Sequence, residues 1–371
     1  MKQISYFLFS LVLLLPSCAR QKSFEAASLS DVSILIDLDS VKRVPLKLGD
    51  IRYIPLETLD ECLIGHVDKA LIRNEKIYTA DFSQAMVFVF DLEGKFLFKI
   101  ARRGQGPNEY ISFRDFDIHS NGDIYIFDQY GKKFMVLDKD GQYLRTIRTD
   151  FNLSYFCVID DKMYWAKFLD GKQFADLGVY DMENEQLTFL LKDKKFLRDI
   201  HYNFSTYKFY YSPDNTYYSP LFSEIIYAIK ADGIYPAIGV KNLPLPPADV
   251  IERWEREVMQ MDLIFNSKYS LENIYIYETD RFISIGYNVG VRQNTLLYDK
   301  RLKFTYLVYG TDYYENVGNI NITGSTGEEF FSVISFNPDN KLHKQILESR
   351  EELKNWSEED NPVIAFFTLD M

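Results

Sequence analysis

The chain has 371 residues, of which 16% are aromatic and 26% charged, and its formal net charge is −12. This acidic balance argues against binding to nucleic acid and against contact with a membrane through a basic patch. The 27 Tyr and 29 Phe residues suit strands that pack face to face. Some of these rings could instead stack on sugars, although core packing is the stronger interpretation for any single one.

The N-terminal segment has the layout of a signal peptide. Lys2 precedes an apolar run at residues 4–15, which is too short to span a bilayer. Residues 15–18 (LPSC) are similar to a bacterial lipobox, in which Cys18 becomes the acylated first residue of the mature protein; a signal peptide with an unrelated cysteine is the alternative. The resemblance implies a lipid anchor. Ala19, in place of Asp, implies the outer membrane, and the lack of an acidic run after Cys18 implies its periplasmic face.

The segment after Cys18 is polar and has no sustained period, so residues 18–45 are interpreted as the lipidated cysteine and its tether. Strand-like alternation follows at residues 34–38 and 51–56, before any full repeat begins. We expect the folded domain to span residues 46–371.

One short pattern then occurs twice. The strings IYTAD, MVFVFD and KFLFKI at residues 77–100 recur as IYIFD, KFMVLD and QYLRTI at residues 124–147. Tyr78 and Tyr125 are 47 positions apart, and the turns keep this offset. The same offset separates Asp81 from Asp128, Asp91 from Asp138, and Gly94 from Gly141. Each copy alternates apolar and polar residues and contains a D-x-x-G hairpin turn, which predicts a β-meander.

A meander that repeats every 40 to 50 residues is typical of a propeller blade. Residues 104–110 (GQGPNEY) join the two copies, and the second copy begins with a D-x-x-x-x-G-x-I-Y pattern at residues 117–125. These motifs resemble the six-bladed β-propeller lipoproteins of Bacteroidetes, which are related to NHL-repeat propellers. The resemblance is specific over residues 50–150 and weaker towards the C-terminus. It implies architecture more than chemistry, because most members of that family have no established activity.

The remaining sequence supplies further meanders at residues 154–191, 207–240 and 272–310, with a last one from residue 319 to the C-terminus. We therefore predict an all-β fold, a six-bladed β-propeller with short helical insertions, and leave seven blades open. The clearest insertion is an amphipathic helix at residues 248–263.

Propeller rings are often closed by a strand from one terminus that completes a blade formed by the other. Residues 362–369 (PVIAFFTL) form a strong strand candidate at the C-terminus. We expect residues 51–56 to join that final blade.

Two cysteines remain besides Cys18. Cys62 and Cys157 lie in different predicted blades. A disulfide is permitted in an oxidising compartment, but two unpaired thiols, with Cys157 buried in its strand, are the favoured prediction.

Arg102 and Arg103 are the first candidate ligand-binding residues. They precede the glycine-rich segment 104–110 and could meet an anionic ligand at one mouth of the ring; the alternative is pairing with a carboxylate such as Glu109 or Asp115. The segment is not a phosphate-binding loop, because it lacks the Lys-Ser/Thr pair and opens no helix.

Asp81 and Asp128 are the second pair of candidates. They end equivalent strands, so a propeller places them on the same face around the axis. Carboxylates that converge there could bind a hard cation such as calcium. They could equally cap the turns that follow, which is the favoured interpretation. No other cofactor is expected.

No catalytic set is recognisable. None of the four histidines forms an H-x-x-x-H or H-x-H pair, and no G-x-S-x-G motif is present. The favoured hypothesis is a non-catalytic envelope propeller that binds a protein or glycan. A metal-dependent lyase or lactonase acting on a carbohydrate or another small molecule is the alternative, and would require polar side chains that converge on the axis. A structural component that docks through helix 248–263 is the third hypothesis.

Overall fold

The computed structural model describes residues 27–149, 153, 155–170, 173–191, 208–256, 266–270, 273–309 and 322–371. These residues form six sheets, whose innermost strands contact one another around a common axis. The predicted six-bladed β-propeller is confirmed, and the number of blades is six rather than seven.

The strands are short and follow one another as antiparallel meanders. Three strands precede the first blade: β1 (Ile34–Asp37), β2 (Lys42–Pro45) and β3 (Leu48–Pro55). Blade I contains β4 (Lys69–Arg73), β5 (Lys76–Asp81), β6 (Met86–Asp91) and β7 (Phe96–Ile100). Blade II contains β8 (Phe116–Ile118), β9 (Ile124–Asp128), β10 (Lys133–Leu137) and β11 (Tyr143–Arg148). Blade III contains β12 (Tyr155–Ile159), β13 (Lys162–Asp170), β14 (Gln173–Asp181) and β15 (Gln186–Leu191).

The second half of the ring has the same organisation. Blade IV contains β16 (Phe209–Tyr211), β17 (Thr216–Tyr218), β18 (Ile225–Lys230) and β19 (Gly233–Lys241). Blade V contains β20 (Asn273–Glu278), β21 (Phe282–Val289), β22 (Arg292–Asp299) and β23 (Phe304–Tyr309). Blade VI contains β24 (Gly324–Ser325), β25 (Phe330–Ile334) and β26 (Val363–Leu369), with β3 as its outer strand.

The repeated D-x-x-G turns explain why blades I and II match so closely. Gly94 and Gly141 have φ angles of 84° and 78°, which a residue with a side chain rarely adopts. Asp91 accepts hydrogen bonds from the backbone N–H groups two and four residues later, at 3.1 and 2.8 Å. Asp138 makes the same two bonds at 3.0 and 2.8 Å. The motif therefore encodes one hairpin turn twice.

Aromatic side chains fill the space between neighbouring blades. Between blades II and III, the ring centroid of Phe134 lies 4.8 Å from that of Phe127 and 5.0 Å from that of Phe156. All three rings are buried. The aromatic richness of the sequence is thus largely explained by core packing, because each blade has to bury both of its faces against neighbours.

The ring is closed as predicted, by a strand from the N-terminal part of the chain. β3 pairs antiparallel with β26, so that Tyr53 lies opposite Ala365. The buried side chain of Asn361 secures the junction: it accepts a hydrogen bond from the N–H of Ile64 and donates to the carbonyl groups of Glu57 and Cys62. Strand β3 begins and ends close to the predicted segment 51–56.

The propeller begins earlier in the chain than the predicted boundary at residue 46. β1 pairs in parallel with β19, and β2 pairs in parallel with β23, so each adds a fifth strand to the outer edge of a blade. Residues 34–45, which were predicted to belong to the tether, therefore form part of the rim. The sequence pattern of a four-residue strand is too short to indicate which blade edge β1 or β2 covers.

In the described residues, two α-helices interrupt the meanders. α1 (Ala248–Arg256) lies between blades IV and V, which confirms the first part of the predicted helix; residues 257–263 lie outside the described residues. Val250, Ile251 and Trp254 of this helix are buried, and the ring of Trp254 contacts Phe222 and Tyr269. α2 (Lys341–Ser349) lies in blade VI and is followed by a 3-10 helix (Glu351–Leu353). Across the described residues, neither helix has the length and apolarity needed to cross a membrane.

Candidate functional site

The predicted candidates Asp81 and Asp128 occupy equivalent turns in blades I and II. Both carboxylates are fully buried. Asp81 accepts hydrogen bonds from the N–H of His66, from the N–H and side-chain amide of Gln84 and from the hydroxyl of Ser83. These bonds show the capping geometry, and they also tie the turn to the connection that enters the blade.

Asp128 repeats this arrangement one blade later. It accepts hydrogen bonds from the N–H groups of Ile111 and Gly131, both at 3.0 Å.

Burial raises the pKa of the Asp81 carboxyl, but the hydrogen bonds outweigh burial and hold that pKa below its ordinary value. Within the described part of the chain, no group of three or more His, Cys, Asp or Glu side chains is arranged to hold a metal ion.

Arg102 and Arg103 lie at the start of the loop between blades I and II. Arg102 donates a hydrogen bond to the carbonyl oxygen of Gly141 at 3.3 Å, and Arg103 is exposed. The two carboxylates suggested as their partners bond elsewhere. Glu109 accepts from the N–H of Gly106, and Asp115 pairs with a lysine at the axis. The structure therefore does not bring the four predicted site residues together into one pocket.

A buried charged group that sequence reasoning missed lies on the innermost strands, around the axis. We call Lys69, Arg73, Asp115, Asp117 and Tyr211 the axial cluster. They come from the inner strands of blades I, II and IV or from the residue just before such a strand. The D-x-D spacing of residues 115–117 was the available signal, because alternate residues of a strand point to the same side.

An ion pair organises the axial cluster. The ammonium group of Lys69 lies 2.6 Å from a carboxylate oxygen of Asp115 and donates a second hydrogen bond to the carbonyl of Phe116 at 2.7 Å. The other oxygen of Asp115 accepts from the N–H of Phe156 at 2.9 Å. This one carboxylate thereby links the inner strands of blades I, II and III, which no sheet ladder connects.

Asp117 links blades II and III in the same way but is incompletely satisfied. One carboxylate oxygen accepts a hydrogen bond from the N–H of Val158 at 2.7 Å, whereas the other has no hydrogen-bond partner among the described residues. Burial raises the pKa of both Asp115 and Asp117 above the ordinary carboxyl value, and the nearby Lys69 opposes this shift.

Tyr211 and Cys157 complete the surroundings of these charges. The guanidinium carbon of Arg73 lies 4.6 Å above the ring of Tyr211, a cation–π distance. Burial raises the pKa of the Tyr211 phenol and of the Cys157 thiol well above their ordinary values. Cys157 and Cys62 are both buried and unpaired, as predicted. A buried thiol held in its neutral form is a poor nucleophile.

The axial cluster leaves only a small cavity between the residues that the structure describes. The cavity beside Lys69, Arg73 and Tyr211 has a volume of about 20 Å³, room for one or two water molecules. Polar side chains therefore converge on the axis, which is the first condition for the enzyme hypothesis. Among the described residues, that cavity is too small for a sugar or another organic substrate.

A much larger depression lies at the outer rim, between blades II and III. This rim groove has a volume of about 930 Å³. It follows the whole of β11, from the loop at residues 104–107 to the turn at residues 182–185 between β14 and β15. Its lining side chains include Ile111, Lys133, Tyr143, Arg145, Thr146, Ile147, Arg148, Tyr180, Met182 and Glu185.

The rim groove is amphipathic, and its exposed charge is mainly positive. Arg145 and Arg148 on β11 are exposed, and Glu185 on the opposite wall is the exposed acidic residue of the lining. Ile111, with 41% of its surface exposed, provides an apolar contact at one end. On a chain with a net charge of −12, this local excess of arginine is a distinct feature.

The fold and these two regions define a class of protein: a six-bladed propeller with a small axial cavity and an open groove on its rim. The chain belongs to the family described as Domain of unknown function (DUF4934), whose model matches residues 36–368. No match was found among curated proteins.

Two solved structures share the architecture. A candidate exported protein (BF0058) from Bacteroides fragilis NCTC 9343 is 20% identical, with a TM-score of 0.74 over 91% of this chain and 99% of that one. A member of the duf4221 family from Bacteroides vulgatus ATCC 8482 is 10% identical, with a TM-score of 0.54 over 88% of this chain and 98% of that one. These similarities, together with the family match, confirm the predicted resemblance to propeller proteins of Bacteroidetes.

Proposed function

We propose that this chain is an envelope-anchored propeller that acts as a non-catalytic binding module and engages its partner, a protein or a glycan, through the rim groove. The main support for the proposal is a difference in cavity volume: about 930 Å³ at the rim groove and about 20 Å³ at the axis. Groups that could recognise a partner lie in the groove, where Arg145, Arg148 and Ile111 are exposed.

The axial cluster is better suited to holding blades together than to chemistry. Its carboxylates accept hydrogen bonds from backbone N–H groups of the next blade, and its lysine is paired. The cavity at the axis between the described residues has room for one or two waters and not for a sugar ring, which favours the binding module over the lyase or lactonase alternative.

The anchor belongs to the same proposal. Cys18 within the LPSC segment would carry the lipid, and the propeller would face the periplasm from the outer membrane. The name of the Bacteroides fragilis relative, which describes an exported protein, supports an envelope location. Cys18→Ser should release the protein from the membrane fraction and abolish labelling with a clickable palmitate analogue; retention in that fraction would contradict the anchor.

Site-specific photocrosslinking in cells tests the binding site. A photoreactive residue placed at Arg148 in the groove should yield a discrete crosslinked species. The matched control carries the same residue at Arg292, which is also exposed but lies on blade V, and should yield none. The same crosslinked species from both positions, or no crosslinked species from position 148, would contradict the groove as the binding site.

A further inference from the structure

The outer edges of the six blades differ in whether a further strand covers them. In blades IV and V, the outer strand is covered by an added parallel strand, β1 or β2. In blades I, II and III, the sheet ends at β7, β11 and β15, and no further strand pairs with them in the described part of the chain. An uncovered edge strand presents backbone N–H and C=O groups that can pair with another strand.

The edge of blade II is the one that borders the rim groove. Residues 143 and 145–148 of β11 line the groove, and the intervening Leu144 is 46% exposed. The groove therefore lies directly beside an unpaired edge, in which a bulge at Leu144 is followed by the regular residues 145–148. These four residues equal the length over which β1 pairs with β19, so an extended peptide can pair with them by main-chain hydrogen bonds.

Blade IV shows how such an edge is occupied in this molecule. β1 consists of three apolar residues followed by Asp37, which lies opposite Lys241 in the register of the parallel pair. The Asp37 carboxylate is 2.7 Å from the Lys241 ammonium group. Main-chain pairing and a carboxylate–cation contact thus act together at this edge. On β11, Arg145 and Arg148 offer exposed cations in an equivalent place.

We propose that the edge of β11 binds an extended acidic peptide segment of a partner protein, which adds to blade II as a parallel fifth strand. The inference deepens the proposed function and rests on it, because it identifies the chemical class of the partner. Two observations support the choice of an acidic segment: the exposed arginines of β11 and the contact between Asp37 and Lys241 at the corresponding edge of blade IV.

The direct test uses a peptide of known sequence. The probe is a fluorescent peptide of residues 32–40 (VSILIDLDS), the chain's own acidic edge segment, and the receptor is the chain without residues 1–18. Arg145→Glu combined with Arg148→Glu should weaken binding about tenfold, because two attractive contacts become repulsive. The control, Arg292→Glu with Lys303→Glu, makes the same change of charge on blade V and should leave binding unchanged.

A second pair of probes tests main-chain pairing itself. The peptide with proline in place of Ile36 lacks one N–H group and should bind at least tenfold more weakly. Equal binding of the proline peptide, equal effects of the two double variants, or no binding of the original peptide would each overturn the proposal.

The parallel orientation gives a third readout. In the Leu144→Cys variant, a peptide with an added N-terminal cysteine should form a disulfide readily, since a parallel peptide begins where β11 begins. A peptide with a C-terminal cysteine should not; preferential trapping of that peptide would overturn the parallel arrangement. If crosslinking at Arg148 succeeds while the peptide fails to bind, only this inference is lost. Failure of both experiments removes the proposed function as well.

Discussion

The axial cluster and the rim groove both concentrate charged side chains, but the chain uses those charges in opposite ways. At the axis, Lys69 and Asp115 are buried and bonded to each other and to backbone groups. At the groove, Arg145 and Arg148 are exposed to solvent. No sheet ladder connects the described inner strands of neighbouring blades. Carboxylates that accept hydrogen bonds from the backbone N–H groups of the next inner strand connect them instead. Charge therefore serves cohesion at the axis and is available for recognition at the rim.

The largest effect that separates the two regions is expected at the buried ion pair. Lys69→Met should lower the free energy of unfolding by about 3–5 kcal/mol, because it leaves the Asp115 carboxylate buried without its cation. Urea unfolding measures this loss. Adding Asp115→Asn to Lys69→Met should restore part of the stability; a double variant as unstable as the single one would contradict the ion-pair explanation.

The carboxylates of Asp81 and Asp128 should stabilise the fold, as the axial cluster does, rather than bind a ligand. Asp81→Ala removes an acceptor of several hydrogen bonds and should cost about 2 kcal/mol of stability. Asp81→Asn keeps part of the acceptor set and should cost less. Thermal unfolding with and without millimolar calcium provides the second measurement: a calcium-dependent rise in melting temperature that Asp81→Ala abolishes would instead show a cation site.

A smaller and opposite effect is expected at Asp117, whose second carboxylate oxygen has no described partner. Its folded-state pKa is raised by burial. The folded state therefore binds this proton more tightly than the unfolded state, and the resulting stability is lost as pH rises through the raised pKa. Asp117→Asn should thus stabilise the protein by about 1 kcal/mol above this raised pKa and have less effect below it. Urea midpoints of the two proteins, compared from acidic to alkaline pH, check the trend. A variant that becomes less stable relative to the unsubstituted protein as pH rises would contradict it.

The smallest change in stability is expected at the groove. Arg148→Glu should alter the free energy of unfolding by no more than about 0.5 kcal/mol, because its side chain is exposed. Arg145→Glu should cost slightly more, because Arg145 also donates a hydrogen bond to the Tyr125 hydroxyl at 3.1 Å. Circular dichroism during urea unfolding measures this. A large loss of stability would show that the arginines are structural, and would weaken their use as recognition residues.

The sequence predicted the blades well because each blade is a local repeat. The 47-residue offset between Tyr78 and Tyr125, and the D-x-x-G turns, depend on neighbours within one meander. Ring closure was also predictable, since an open propeller would leave edges that a terminal strand can cover. The positions of β1 and β2 were not, because which edge a four-residue strand covers is decided by contacts about 200 or more positions away in the chain.

The site was less predictable for the same reason. Asp81 and Asp128 were identified from their strand ends, and the structure shows them capping turns. The contact between Lys69 and Asp115 joins different blades, and neither residue occurs in a recognisable catalytic pattern. The groove is formed by β11 and by a turn of the next blade, so its existence depends on how two blades pack. Amino-acid composition and motif spacing do not indicate how two blades pack.

Ring closure also imposes an order on biosynthesis. β3 is synthesised before blade I, while its partner β26 follows blades I to V in the chain, since Leu48 pairs with Leu369. Until β26 has been made, β3 has one edge and an apolar surface without their final neighbours. An unpaired strand of this kind is open to pairing with other chains. The nascent protein therefore exposes this strand while five blades are synthesised, and loss of β26 alone would leave an open ring, however complete the other blades are.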